Sequence, residues 1–172
     1  HQWLKRQLED SLPGAQLADA AQRASGAILR TLNADELPDF VSDTIIQMLH
    51  AAHVSVYTHD TVSRHFSLRA SKVSSRSAQS GELPAEIRED SLLVRMVSGD
   101  MGLLDRSQIR RFHSFEEAQL ILEAMRDYEA EVIAPIFWEN RLMGLVVIGE
   151  AIAGDMYGPE EMRLLQNMLP QV

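Results

Sequence analysis

The chain has 172 residues, 45% apolar and 24% charged, with a formal net charge of -9 and no cysteine. That length suits one domain with a full core and hardly two. The acidic balance argues against a nucleic-acid binder, which needs a clustered basic surface. The missing thiols exclude disulfides, thiolate catalysis, iron–sulfur clusters and cysteine-ligated zinc. No apolar run approaches the roughly 20 residues of a bilayer span, and the opening HQWLKRQLED is not a signal peptide. A cytoplasmic chain without membrane insertion is the expectation. It starts without Met and stops inside a helical pattern at Pro170-Gln171-Val172, so it is expected to be a piece of a longer protein.

Residues 2–12 read as a short helix stopped by Pro13-Gly14. A second helix is expected over 15–32, with Leu17, Ala21, Ala24, Ile28 and Thr31 or Leu32 spaced as one narrow stripe. An Ala-rich stripe suits close helix–helix approach, either onto the same domain or across a dimer axis. Asn33 or Asp35 can cap the next helix, with Pro38 in its first turn. Over 36–51 that helix should bury Leu37, Phe40, Val41, Ile45, Met48 and Leu49. Val54, Val56 and Thr58 alternate with Ser55, Tyr57 and His59, as a half-buried strand does. Asp60–Ser63 turns the chain into a partner strand, Arg64–Lys72, with Phe66, Leu68 and Ala70 on one face. Residues 73–81 are Ser-rich and read as a loop.

Leu92, Leu93, Met96 and Val97 have helical spacing, and Gly99 closes that helix. Met101–Leu104 suits a short strand, and 105–113 fit helix and loop equally. Ser114-Phe115-Glu116-Glu117 is a capping box, opening a helix to about Tyr128 with Leu120, Ile121, Ala124 and Met125 inward. Two β-rich runs flank Glu139-Asn140-Arg141, a hairpin signal. Pro159, Glu160 and Glu161 open a terminal helix, because a first-turn N–H needs no partner and the dipole favours carboxylates there. Hairpins imply antiparallel pairing, and the helices at both ends must cover one sheet face. The fold class is therefore α+β, with an N-terminal helical extension over 1–33 and one domain over 34–172.

Chemistry-bearing patterns are few. His53 and His59 fall on one strand and His65 on its partner, so a histidine group is geometrically open to them, but no HExxH-type spacing adds ligands. The glycines form neither a G-x-G-x-x-G nor a phosphate-cradling loop, and no G-x-S-x-G exists. Glu116-Glu117 and Glu160-Glu161 sit at helix starts, which explains them structurally. Arg106, Arg110 and Arg111 would neighbour each other in a helix; they suit an anionic effector, or pairing with Glu116 and Glu117.

The closing hairpin carries a family likeness. Pro135, Leu142, Gly144, Gly149, Tyr157, Glu160 and Glu161 stand in an order that resembles the C-terminal end of a GAF domain, a small-molecule sensor module of bacterial signalling proteins. Asp90–Val97 followed by Leu103-Leu104 resembles a second segment of that family. The likeness covers roughly residues 34–172. It implies an antiparallel sheet flanked by helices and no catalysis, in a parent such as a histidine kinase or a cyclic-dinucleotide enzyme. It implies a ligand layer between one sheet face and the connecting helices. Carried onto this chain, the candidates are Tyr57, Phe66, Leu68, Met96, Leu103, Phe112, Met125, Ile133 and Pro135, with Arg95 and His113 beside Tyr57 as polar anchors. The same residues are what a dry core needs. The likeness names no cofactor and no metal, and the absent thiol removes the anchor that many bilin-binding members use. A small-molecule effector and a homodimer through helices 15–32 and 159–172 are the expected partners. The alternatives are a PAS-like sensor, or a small enzyme on the same fold such as a relative of free methionine sulfoxide reductase, whose chemistry rests on cysteines.

Overall fold

The structure, a computed structural model, describes residues 36–74, 82–99 and 102–169. The expected helices over 2–12 and 15–32, the caps Asn33 and Asp35, the boundary at 33/34, most of the Ser-rich loop and Met101 lie outside the described residues.

Helix α1 (Leu37–Leu49) carries Pro38 in its first turn and ends at His50, whose φ of 51° breaks the helix. Leu37, Val41, Ile45 and Leu49 recur every four residues and are buried as one stripe. Phe40, expected inside, is 38% exposed, because a helix lying on a sheet buries only one side. Strands β1 (His53–Asp60) and β2 (His65–Val73) form the first hairpin. A short β3 (Glu86–Arg88) pairs with β2 and buries only its central Ile87. Next come α2 (Leu92–Ser98), β4 (Leu104–Asp105), a 3-10 turn over Arg106–Gln108, α3 (Ile109–Phe112) and α4 (Phe115–Asp127). Strands β5 (Val132–Trp138) and β6 (Arg141–Ile148) form the second hairpin, and α5 (Pro159–Met168) follows. The hairpin turn is Glu139-Asn140 alone, at φ of 50° and 61°, the left-handed pair that matches strand twist.

Among the described residues the strands form one sheet in the order β3-β2-β1-β6-β5-β4, and every pairing is antiparallel. The first and last long strands meet at its centre, Val54 opposite Ile148 and Thr58 opposite Gly144. Gly144 eases that approach: a Cβ would stand 3.0 Å from the Tyr57 carbonyl oxygen, a tight contact.

Both sheet faces are covered. On one, α1 and α5 pack Ile45, Leu164 and Leu165 against Val54, Val146 and Ile148. On the other, α2, α3 and α4 pack Val97, Ile109, Ile121 and Met125 against Tyr57 and Leu145. Each such side chain withdrawn from water contributes about 1.5–3 kcal/mol. Three further sequence expectations change. Strand β1 is not half-buried: Ser55 and Tyr57 are as buried as Val54 and Val56. Ala70 does not share a face with Phe66 and Leu68, because a bulge lets the register pass from Val56–Ala70 to Tyr57–Leu68. Ala70 joins the α1 layer and Phe66 the other. In α4 the inward side is Ala118, Ile121 and Met125, while Leu120 is 59% exposed.

Candidate functional site

Two tyrosines order the layer between the sheet and α2–α4. Tyr57, in the middle of β1, is buried, and its phenol donates to the Pro84 carbonyl at 2.7 Å. Tyr128, just after α4, meets it edge-on, with centroids 5.9 Å apart and planes at 84°. Its hydroxyl donates to the Glu86 carbonyl at 3.2 Å. The segment carrying β3 is thereby tied to the sheet and to the end of α4. Burial pushes the Tyr57 phenol above its ordinary value, and Tyr128 beside it adds to that. Burial also raises Tyr128, with Asp127 contributing. Both are neutral donors at physiological pH, able to hold a carbonyl but not to act as bases.

At the start of β1 a second arrangement reaches toward α5. The buried ring of His53 places Nε2 2.9 Å from the Glu129 carbonyl in the α4–β5 corner. A carbonyl only accepts, so Nε2 donates. Glu129 holds a φ of 50°. Gly149 lies flat against the ring: a Cβ there would stand 2.3 Å from His53 Cδ2. The Gly149 N–H donates to the His53 carbonyl at 2.9 Å, and its carbonyl accepts from the Tyr157 hydroxyl at 2.7 Å. Burial raises the Tyr157 phenol, and Glu131, Glu161 and Glu150 add to the shift. Tyr157 precedes Gly158, the N-cap of α5, whose N–H donates to the Glu161 carboxylate. One contact chain, Glu129–His53–Gly149–Tyr157, thus joins the end of α4 to the start of α5.

Among the described residues the clefts that open to the surface include two of different character. A polar one of about 360 Å³ beside the β1–β2 turn is lined by Arg64, His65, Arg88, Glu89 and Asp90. Its charges are largely matched: Arg88 Nε lies 3.1 Å from Asp90, and Arg64 Nε lies 4.0 Å from Glu89. A second cleft, about 180 Å³ and mainly apolar, lies between the edge of β5 and α5, with Leu103, Pro135, Leu165 and Leu169 among its walls. Among the described residues no three His, Asp or Glu side chains are grouped to hold a metal ion.

No protein-family model and no curated protein matches the sequence. Solved structures do. A phycoerythrobilin-bound GAF domain from a cyanobacterial phytochrome is similar at a TM-score of 0.55 and 13% identity, over 88% of this chain and 89% of that one. The GAF domain of an Acinetobacter phosphoenolpyruvate-protein phosphotransferase matches at 0.52 and 18%, over 87% and 86%. This chain has the GAF fold. Residues 122 to 287 of a methyl-accepting chemotaxis protein match at 0.57 and 14%, over 84% and 89%.

Within this GAF fold the sequence candidates separate. Tyr57, Phe66, Leu68, Met96, Met125 and Ile133 come together in the tyrosine-ordered layer. Leu103 and Pro135 line the apolar cleft beside α5 instead. Arg95 is exposed at the end of α2. Phe112 is 66% exposed at the end of α3. The largely buried His113 side chain lies 3.6 Å from the Glu117 carboxylate. The three arginines do not form one helical cluster: Arg106 sits in the 3-10 turn, 3.5 Å from Glu131, while Arg110 and Arg111 are in α3. His53, His59 and His65 do not converge either. His53 holds the Glu129 carbonyl, His59 meets Phe66 edge-on with centroids 5.1 Å apart, and His65 lies 4.0 Å from Glu86.

The residues missed from sequence were Pro84, Tyr128, Glu129 and His53 as a partner of Gly149. Gly149 and Tyr157 carried a signal through the family pattern. A backbone carbonyl such as that of Pro84 carries none, because its role depends only on where the chain passes.

Proposed function

We propose that this GAF-fold chain is a non-catalytic regulatory module of a bacterial signalling protein. Its task is to pass a change in the layer between the sheet and α2–α4 to α5. The observation that carries this reading is the buried His53–Gly149–Tyr157 chain, which ties the end of α4 to the residue before the α5 cap. Neighbours from a chemotaxis protein and a phytochrome support a signalling context.

In this reading Tyr57, Phe66, Leu68, Met96 and Met125 meet an effector by moving apart, with the Tyr57 and Tyr128 hydroxyls exchanging the Pro84 and Glu86 carbonyls for a polar group of the ligand. Arg95, Leu103, Phe112, His113 and Pro135 lie outside that layer and take no part in first contact. A ligand shifts the module only if it binds one arrangement better than the other. Output runs along α5 and a homodimer made with residues 15–32, to a kinase or cyclic-dinucleotide domain of the parent. In this reading the resting module retains no small molecule, which the near-zero exposure of Tyr57, Phe66 and Met125 supports. A native mass spectrum of the freshly purified chain tests this. The mass of the polypeptide, in one copy or two, with nothing added is expected; a retained compound of a few hundred daltons would overturn the packed-layer reading.

A further inference from the structure

The corner between α3 and α4 exposes apolar side chains that the packing of the domain does not require. Phe112 is 66% exposed, Phe115 78% and Leu120 59%, three of the nine large apolar residues exposed among those described. The two phenylalanines flank the short link His113-Ser114, where Ser114 caps α4 by accepting the Glu117 N–H at 3.3 Å. Chain order then sets a charge pattern around them. Arg110 and Arg111 precede the phenylalanines, and Glu116 and Glu117 follow them, all exposed. Arg110, Arg111 and Glu116 enter no ion pair among the described residues; Glu117 faces only His113, at 3.6 Å.

We propose that this corner is an interface for a second copy of the chain. A two-fold axis through the phenylalanines reverses chain order, so Arg110 and Arg111 of one copy meet Glu116 and Glu117 of the other, twice, around an apolar centre. An isologous contact of this kind needs a patch that complements itself, and Arg-Arg-Phe-x-x-Phe-Glu-Glu does so. An anionic lipid surface fits worse, because the two glutamates and the chain's net charge of -9 repel it. Aromatic side chains and arginine are also the residues that concentrate binding energy in protein interfaces. The surface is distinct from α5, which packs on the opposite sheet face, so it adds a contact beyond the homodimer proposed through that helix. Its small area places the affinity at the weak end, with a dissociation constant on the order of tens of micromolar.

Sedimentation velocity on the full 172-residue chain, from about 5 to 500 µM to bracket that affinity, tests the proposal. Concentration-dependent association beyond the dimer proposed through α5 is expected for the wild type. Phe115→Ser should shift the midpoint to at least about tenfold higher concentration, with an unchanged circular-dichroism melt because the side chain is exposed. R110E/R111E and E116R/E117R should each lose the association alone and recover it in a 1:1 mixture, where the charges match again. Recovery also shows that both variants are folded. A wild type with no association beyond that dimer, a Phe115→Ser chain that associates like wild type, or a mixture that behaves like its separate components would each overturn the proposal.

Discussion

The ring of His53 and the Cα of Gly149 are packed so closely that no side chain fits between them: a Cβ on residue 149 would lie 2.3 Å from Cδ2 and 2.4 Å from Nε2 of the imidazole. Gly149→Ala must therefore push the ring out or part β1 from β6. The His53 ring is held by the Glu129 carbonyl, so it cannot swing away freely. A loss of about 1–3 kcal/mol is expected, the usual cost of overpacking, read as a lower urea midpoint at constant slope. An unchanged midpoint would mean that the corner is loosely packed.

Tyr157→Phe removes the hydroxyl that donates to the Gly149 carbonyl at 2.7 Å. About 1 kcal/mol should be lost, the net worth of a buried hydrogen bond. The substitution also carries a pH signature. Tyr57, Tyr128 and Tyr157 are all raised above the ordinary value of 10.0, so the folded chain keeps protons that the unfolded chain releases. Their contribution is complete below about pH 10 and is lost as pH rises above it. Each fully retained proton steepens the alkaline loss by about 1.4 kcal/mol per pH unit, and Tyr157→Phe should remove one such share. Urea melts at pH 9 to 11.5, a range around that titration, read the difference. Equal alkaline slopes in the two proteins would contradict the assignment.

On α4 the exchange of faces between expectation and structure can be measured directly. Met125→Ala, at a side chain with no exposure, should cost about 2–5 kcal/mol. Leu120→Ala, at a side chain left mostly in water, should change stability by no more than about 0.5 kcal/mol. Comparable losses at both would restore the inward side read from sequence.

The contrast shows what the sequence carried. Periodicity placed α1, α4 and α5 and both hairpins, because the apolar residues of each long element repeat at the spacing of the backbone itself. Leu120 and Ile121 are adjacent and equally apolar, so only the partner surface decides which turns inward. The bulge that moves Ala70 away from Phe66 breaks the period of two at one position and leaves no compositional trace. Three-residue β3 is too short for its alternation to stand out from a loop. The tyrosine-ordered layer was half legible: Tyr57, Phe66 and Met125 stood out as buried types, whereas the Pro84 and Glu86 carbonyls that fix it have no side-chain signature.

Glu139 holds a φ of 50° in the β5–β6 turn, a conformation that asparagine and glycine adopt at lower cost. Glu139→Asn should raise stability by about 0.5 kcal/mol without altering the fold, seen as a higher thermal midpoint. A lower midpoint would imply that the Glu139 side chain has an undetected role in the turn.

Coupling between the tyrosine-ordered layer and α5 is tested most directly by amide hydrogen exchange in wild type and Tyr57→Phe. The substitution cuts the tie to Pro84 and touches nothing in α5. If the His53–Gly149–Tyr157 chain transmits the change, protection over α5, residues 159–168, should fall by at least about fivefold, roughly 1 kcal/mol of local stability, alongside the loss near β3. Faster exchange confined to residues 82–88, with α5 at its wild-type rates, would contradict the relay.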